Sequence, residues 1–158
     1  MRDPFREGLA AGWKHIDASQ LAVDLPIEAD VVIIGSGAGG GVTAEILAAN
    51  GLKVIIVEEG PLRTSSDFKM REAEAYPDLY QESAARKTAD KAINILQGRC
   101  VGGSTTVNWT SSFRTPPRTL QWWQSAWGLK RLGVDAMAPW FAAMEQRLHV
   151  GLWPIPPN

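Results

Sequence analysis

The amino-acid sequence predicts an α/β fold: a parallel βαβ unit carrying an incomplete sheet, with helical excursions. Three observations predict it. Residues 30–34 (DVVII) form an apolar, β-branched run without a polar face, which suits a strand buried on both sides. Glycines follow at once, and Gly39 to Asn50 then sets Val42, Ile46 and Ala49 at helical spacing. Lys53 to Val57 (KVIIV) repeats the strand pattern. Strand, glycine turn, helix and strand within so short a span make a βαβ unit.

Along the chain, residues 1–28 read as a polar lead-in with room for one short helix, and residues 29–158 as the body of the domain. Asn50-Gly51 stops the helix of the βαβ unit, because both residues tolerate positive φ. Glu59-Gly60-Pro61 ends the regular pattern. Thr64 to Asp90 is polar and helix-prone, and Pro77 is expected to divide it into two short helices at most. Residues 92–96 (AINIL) suit a short strand or an approach segment, and a second glycine-rich loop follows from Gly98 to Asn108. Thr115-Pro116-Pro117 is a turn, and Arg118 to Trp127 suits a helix. For the last helix, Asp135 is the expected N-cap and Pro139 falls in the first turn, with Met137, Trp140, Met144 and Leu148 as its apolar stripe. LWPIPPN closes the sequence as a proline-rich loop. Seven tryptophans are many for 158 residues, and most lie late, at Trp109, Trp122, Trp123, Trp127, Trp140 and Trp153. Large core anchors are the ordinary expectation for them. A surface made to be covered by more protein is the other reading.

Composition narrows the function classes. The net charge is −1, so no basic field calls for nucleic acid or an anionic membrane. Cys100 is the one cysteine; an intrachain disulfide is impossible and a reducing compartment fits. The first residues are charged and lack the apolar core of a secretory signal. No apolar run approaches the length of a spanning helix. A cytoplasmic location is expected, with peripheral membrane association left open. No metal site is read.

The first glycine loop is Gly35-x-Gly37-x-x-Gly40, placed between a strand and a helix as dinucleotide binding requires. Gly35 permits the tight turn, Gly37 lets backbone approach a pyrophosphate, and Gly40 lets helix pack on strand. The first-turn residues Ala38 and Gly39 bring free amides and the positive end of the helix dipole to the same place. Glu58 stands 18 residues past Gly40, at the end of the second strand, where a carboxylate accepts from ribose hydroxyls and repels a 2′-phosphate. Glu59 is the rival, disfavoured by strand alternation. This Rossmann-like FAD/NAD(P)-binding pattern does not separate FAD from NAD, since both carry an ADP half. A glycine-rich turn with no ligand is the bland alternative.

The second loop, Gly98-Arg-Cys-Val-Gly102-Gly103-Ser104-Thr-Thr-Val107-Asn108, resembles the G-x-x-x-G-G-S/G-S/T-x-x-N signature of the glucose–methanol–choline (GMC) family of flavin oxidoreductases. The GxGxxG, strand-end Glu58 and Gly60 resemble the start of that family. Ala138 to Glu145 resembles its L-P-Y-F-x-x-x-E helix, and Asn108 to Arg114 its N-x-x-x-x-[YF]-x-R neighbourhood, with Arg114 one place early. The resemblance spans about residues 28–148. It implies FAD as the cofactor. Gly102 and Gly103 would lie close to the flavin ring, and Ser104 and Asn108 would hydrogen-bond FAD on the diphosphate side and at the flavin's polar edge, where reduction builds negative charge. Some members attach FAD through a histidine just before the asparagine; Val107 stands there, so non-covalent FAD is expected. Cys100 is expected to be a small buried filler.

The resemblance further implies oxidation of an alcohol CH–OH group, a histidine taking the proton while hydride passes to flavin N5. That histidine lies near the C-terminus of much longer family chains. His15 and His149 do not match its motif, so no catalytic residue is assigned here, and the chain is expected to be the N-terminal portion of such an enzyme, lacking the substrate domain. Alone it is expected to bind FAD poorly and to oxidise no alcohol. The loop looks most like bacterial members acting on long-chain or apolar alcohols; the electron acceptor is unknown. Two alternatives stay open: an NAD-linked Rossmann enzyme, and a non-catalytic nucleotide-binding module.

Overall fold

The computed structural model describes residues 2–152, in two units divided between Trp109 and Thr110. The proline-rich end of LWPIPPN, with Trp153, lies outside the described residues.

The first unit is built on the expected βαβ. Strand β1 (Val31–Ile34) pairs in parallel with β2 (Val54–Val57), Val31 opposite Val54 and Ile34 opposite Val57. Helix α2 (Ala38–Ala49) makes the crossover and turns Ala44 inward, 9% exposed. Asn50-Gly51 ends it as expected: Gly51 has φ +87°, its amide donates to the Ala48 carbonyl at 3.0 Å and that of Leu52 to Leu47 at 3.2 Å.

The expectation that β1 is buried on both faces fails. Val32 and Ile34 are 59% and 90% exposed, because two strands and one crossover helix cover a single face of the sheet. The lead-in is more than a polar tail. Helix α1 (Pro4–Ala10) is N-capped by Asp3, whose carboxylate accepts from the Arg6 amide at 3.1 Å and from the amide and hydroxyl of Ser66 at 3.0 and 2.7 Å. Pro77 does not divide its segment either: helix α3 (Glu72–Leu79) runs through it. Its ring still removes one helical N–H, so the helix tolerates the proline where the sequence pointed to termination. A short 3₁₀ turn follows at Gln81–Ala84, in which Glu82, Ser83 and Ala84 all have positive φ. Residues 92–96 form no strand; isolated antiparallel bridges join Lys87 to Asn94 and Tyr80 to Gly98.

The second unit packs helix α4 (Pro117–Trp127) with helix α5 (Val134–Arg147). Gly128, at φ +64°, caps α4. Gly133, not Asp135, is the N-cap of α5. Asp135 sits in its first turn, where a carboxylate suits the helix dipole without capping. The helix therefore starts early enough to carry Pro139 beyond that turn. At its other end His149 adopts φ +53°, its amide donating to Gln146 at 3.2 Å and that of Val150 to Glu145 at 2.8 Å. His149 is a helix-terminating residue. Arg114 donates to both carboxylate oxygens of Glu145, each at 2.7 Å. The expected stripe of α5 is not a core stripe: Trp140 and Leu148 are 64% and 67% exposed.

The tryptophans correct the core-anchor expectation. Trp13, Trp109, Trp122, Trp127 and Trp140 are all exposed; Trp123 is half-buried.

Candidate functional site

The site begins where β1 ends. The Gly35 amide donates to the Val57 carbonyl at 2.8 Å, so the turn leaves the sheet beside the end of β2. Gly35 adopts φ +91°, which favours glycine. Gly37 is the N-cap of α2, and Ala38, Gly39 and Gly40 form its first turn with no capping side chain. Their amides are the first-turn donors that a helix leaves without an internal acceptor, a set that suits an anion. Gly40 behaves as its place in the pattern requires: a Cβ there would stand 1.9 Å from the Gly35 carbonyl oxygen. Gly35, Gly37 and Gly39 differ, with open space where a Cβ would stand.

Glu58 directly follows β2 and turns back onto this loop. Its Oε2 accepts from the Ser36 amide at 2.9 Å and the Ser36 hydroxyl at 2.7 Å, and its Oε1 from the Gly60 amide at 3.0 Å. Partial burial pushes the carboxyl up, but these hydrogen bonds together hold it below the usual carboxylate range. Glu59 instead forms an ion pair with Arg99 at 3.2 Å.

The second glycine loop closes over the first. Gly102, at φ +91°, precedes a single 3₁₀ turn, Gly103–Thr105. The Gly102 amide donates to Ser36 Oγ at 2.9 Å. A Cβ on Gly103 would stand 3.0 Å from the Gly37 Cα, so the two loops touch backbone to backbone. Gly60 has the same character: a Cβ there would lie 2.3 Å from the Arg99 carbonyl. Ser104 Oγ accepts from the Gly98 amide at 3.1 Å, closing the second loop on itself. Asn108 Nδ2 donates to the Thr105 carbonyl at 2.9 Å. Cys100 is fully buried beneath the loop as the expected filler, and burial pushes its thiol up.

The predicted residues therefore fall into two groups. Gly35 to Gly40, Glu58, Gly102 and Gly103 meet at one junction. Asn108 lies instead on the wall of a cavity of about 620 Å³ that also includes Arg63, Asp78, Tyr80 and Val107. Arg63 and Asp78 form a bidentate pair there, at 2.6 and 2.7 Å. Sequence reasoning missed Ser36, which touches all three parts of the junction. Its one signal was a hydroxyl residue inside a glycine string at the end of a strand.

A dinucleotide carrying a diphosphate fits this donor set. The first turn of α2 has no capping side chain, Gly37 and Gly39 have open space where a Cβ would stand, and glycine backbone lines both loops.

Residues 30–72 match an FAD binding domain family and residues 76–158 a GMC oxidoreductase family. A long-chain-alcohol oxidase of Arabidopsis thaliana is 41% identical over 107 residues, covering 68% of this chain and 14% of that protein. Uncharacterized GMC-type oxidoreductases of Mycobacterium tuberculosis and Sinorhizobium fredii are 34% and 33% identical, covering 86% and 84% of this chain and 22% and 26% of theirs. The chain thus spans about a quarter or less of the length of these relatives.

Proposed function

Because the chain belongs to the GMC oxidoreductase family, we propose that it forms the FAD-binding N-terminal part of an enzyme that oxidises an alcohol CH–OH group. The observation that carries this reading is the junction of the two glycine loops, whose segments match an FAD binding domain and a GMC oxidoreductase family in that order. The chemistry FAD supplies when bound is acceptance of a hydride from the alcohol carbon.

The chain's own part is binding and orientation. The first-turn amides of α2 hold the diphosphate. Glu58, kept ionised, accepts from the adenosine ribose. The backbone at Gly102 and Gly103 lies along the flavin end, with Ser104 and Asn108 as polar contacts. Val107, at the position where a histidyl link would form, leaves FAD non-covalent. His15 and His149 are both exposed, and His149 ends a helix, which supports a proton acceptor for the alcohol other than these two. An apolar, long-chain alcohol is the substrate class the named relatives suggest.

Titration of the purified chain with FAD tests this. Weak but saturable quenching of flavin fluorescence is expected. Acid precipitation should release all of that flavin to the supernatant. A chain that binds NAD as well as it binds FAD would overturn the assignment, and flavin retained in the acid pellet would overturn the non-covalent part.

A further inference from the structure

The Ser36 hydroxyl stands between the two loops and serves both. It has one proton, which it donates to Glu58 Oε2 at 2.7 Å. Its lone pairs then face the Gly102 amide, which donates to it at 2.9 Å. The Ser36 amide donates to the same Glu58 oxygen, so the hydroxyl's rotation is fixed at both ends. Glu58 belongs to the ADP end of the site and Gly102 to the other. Beside the close approach of Gly37 and Gly103, it gives the loops a polar connection.

We propose that Ser36 is a positioning residue that couples the two ends of the cofactor site, so that occupation of the first loop by the ADP half orders the second loop for the flavin half. The inference rests on the FAD reading above for its ligand. Its cause is local. Without the hydroxyl, the part-buried Gly102 amide loses its acceptor and Glu58 loses one of its donors. Among the described residues, the second loop then keeps its packing on the first, while the Val101 amide on the Pro61 carbonyl at 3.0 Å and the Glu59–Arg99 ion pair tie it to the segment after β2.

The test uses the full chain, Ser36→Ala and Ser36→Thr, with ADP as one probe and FAD as the other. ADP carries the half of the cofactor assigned to the first loop and Glu58. Amide hydrogen exchange across residues 98–106 is expected to slow when ADP saturates the parent chain and the Thr variant, and not in the Ala variant. FAD affinity is expected to fall about ten-fold more than ADP affinity in Ser36→Ala, the loss of one buried acceptor, and to return in Ser36→Thr. Melting of the ligand-free variants shows that each is folded.

An equal loss of ADP and FAD affinity in Ser36→Ala would reduce Ser36 to a support for Glu58 and overturn the coupling. So would ADP protection of residues 98–106 that survives in the Ala variant. ADP protection that depends on Ser36, in a chain that holds FAD no better than ADP, would leave the coupling standing and sink the FAD reading instead.

Discussion

Two glycines one step apart in the first loop make opposite predictions. Gly40→Ala places a methyl 1.9 Å from a backbone oxygen, which cannot move aside without opening the turn. It should destabilise the chain by about 3 kcal/mol in a denaturant titration, at the upper end for overpacking. Gly39→Ala meets nothing in the protein. It should leave the chain as stable or up to about 1 kcal/mol more stable, since alanine is the better helix former. Any loss of FAD affinity in that variant reports the ligand's approach to the backbone. Glu58 adds a pH dependence. Its folded carboxyl is held below its ordinary value, so its contribution is complete above the unfolded carboxylate range and disappears as pH falls through the lowered one. FAD affinity should stay level from neutral pH down through about pH 4.3, where an unperturbed glutamate titrates, and drop only below it; Glu58→Gln should remove this acid limb. Most of these residues were legible, because each has a type-specific job at a fixed spacing. Ser36 was not. Its role depends on the second loop arriving 66 residues later, which local spacing does not encode.

Helices were legible from the sequence and their ends less so. The run from Ala38 to Ala49 was plain from periodicity and its Asn-Gly stop. Helix α5 was plain as a helix but misread at its start, because an acidic residue serves a first turn almost as well as a cap. Pro77 and Pro139 show the same limit, since each helix tolerates one missing hydrogen bond once its other contacts are made. The end of α4 offers a clean test. Gly128 is left-handed with open space around it, so Gly128→Ala adds conformational strain without a clash. A loss of about 1 kcal/mol is expected in thermal melting of the chain, with FAD binding unchanged.

At the scale of the molecule, apolar surface is the dominant fact. Val32, Ile34, Ile56 and Val57 leave much of the small sheet open, and five of the six described tryptophans are exposed. The sequence pointed to buried strands because strand patterns record what the finished sheet buries, not how many strands one chain supplies. Tryptophan emission of the chain should accordingly lie at long wavelength and be quenched strongly by acrylamide. A blue-shifted, protected emission would show that these side chains are covered in solution, by self-association or otherwise.

The Ser36 hydroxyl also changes how the first loop should be written as a pattern. In G-x-G-x-x-G the first x is ordinarily a blank, free to vary. Here the letter in that blank is constrained by two others far along the chain, the carboxylate closing β2 and Gly102 in the second loop. Serine or threonine satisfies both. A chain that writes glycine or alanine there must find another acceptor for that distant amide, in water or in the cofactor itself. The three letters form one word, and reading it takes all three at once.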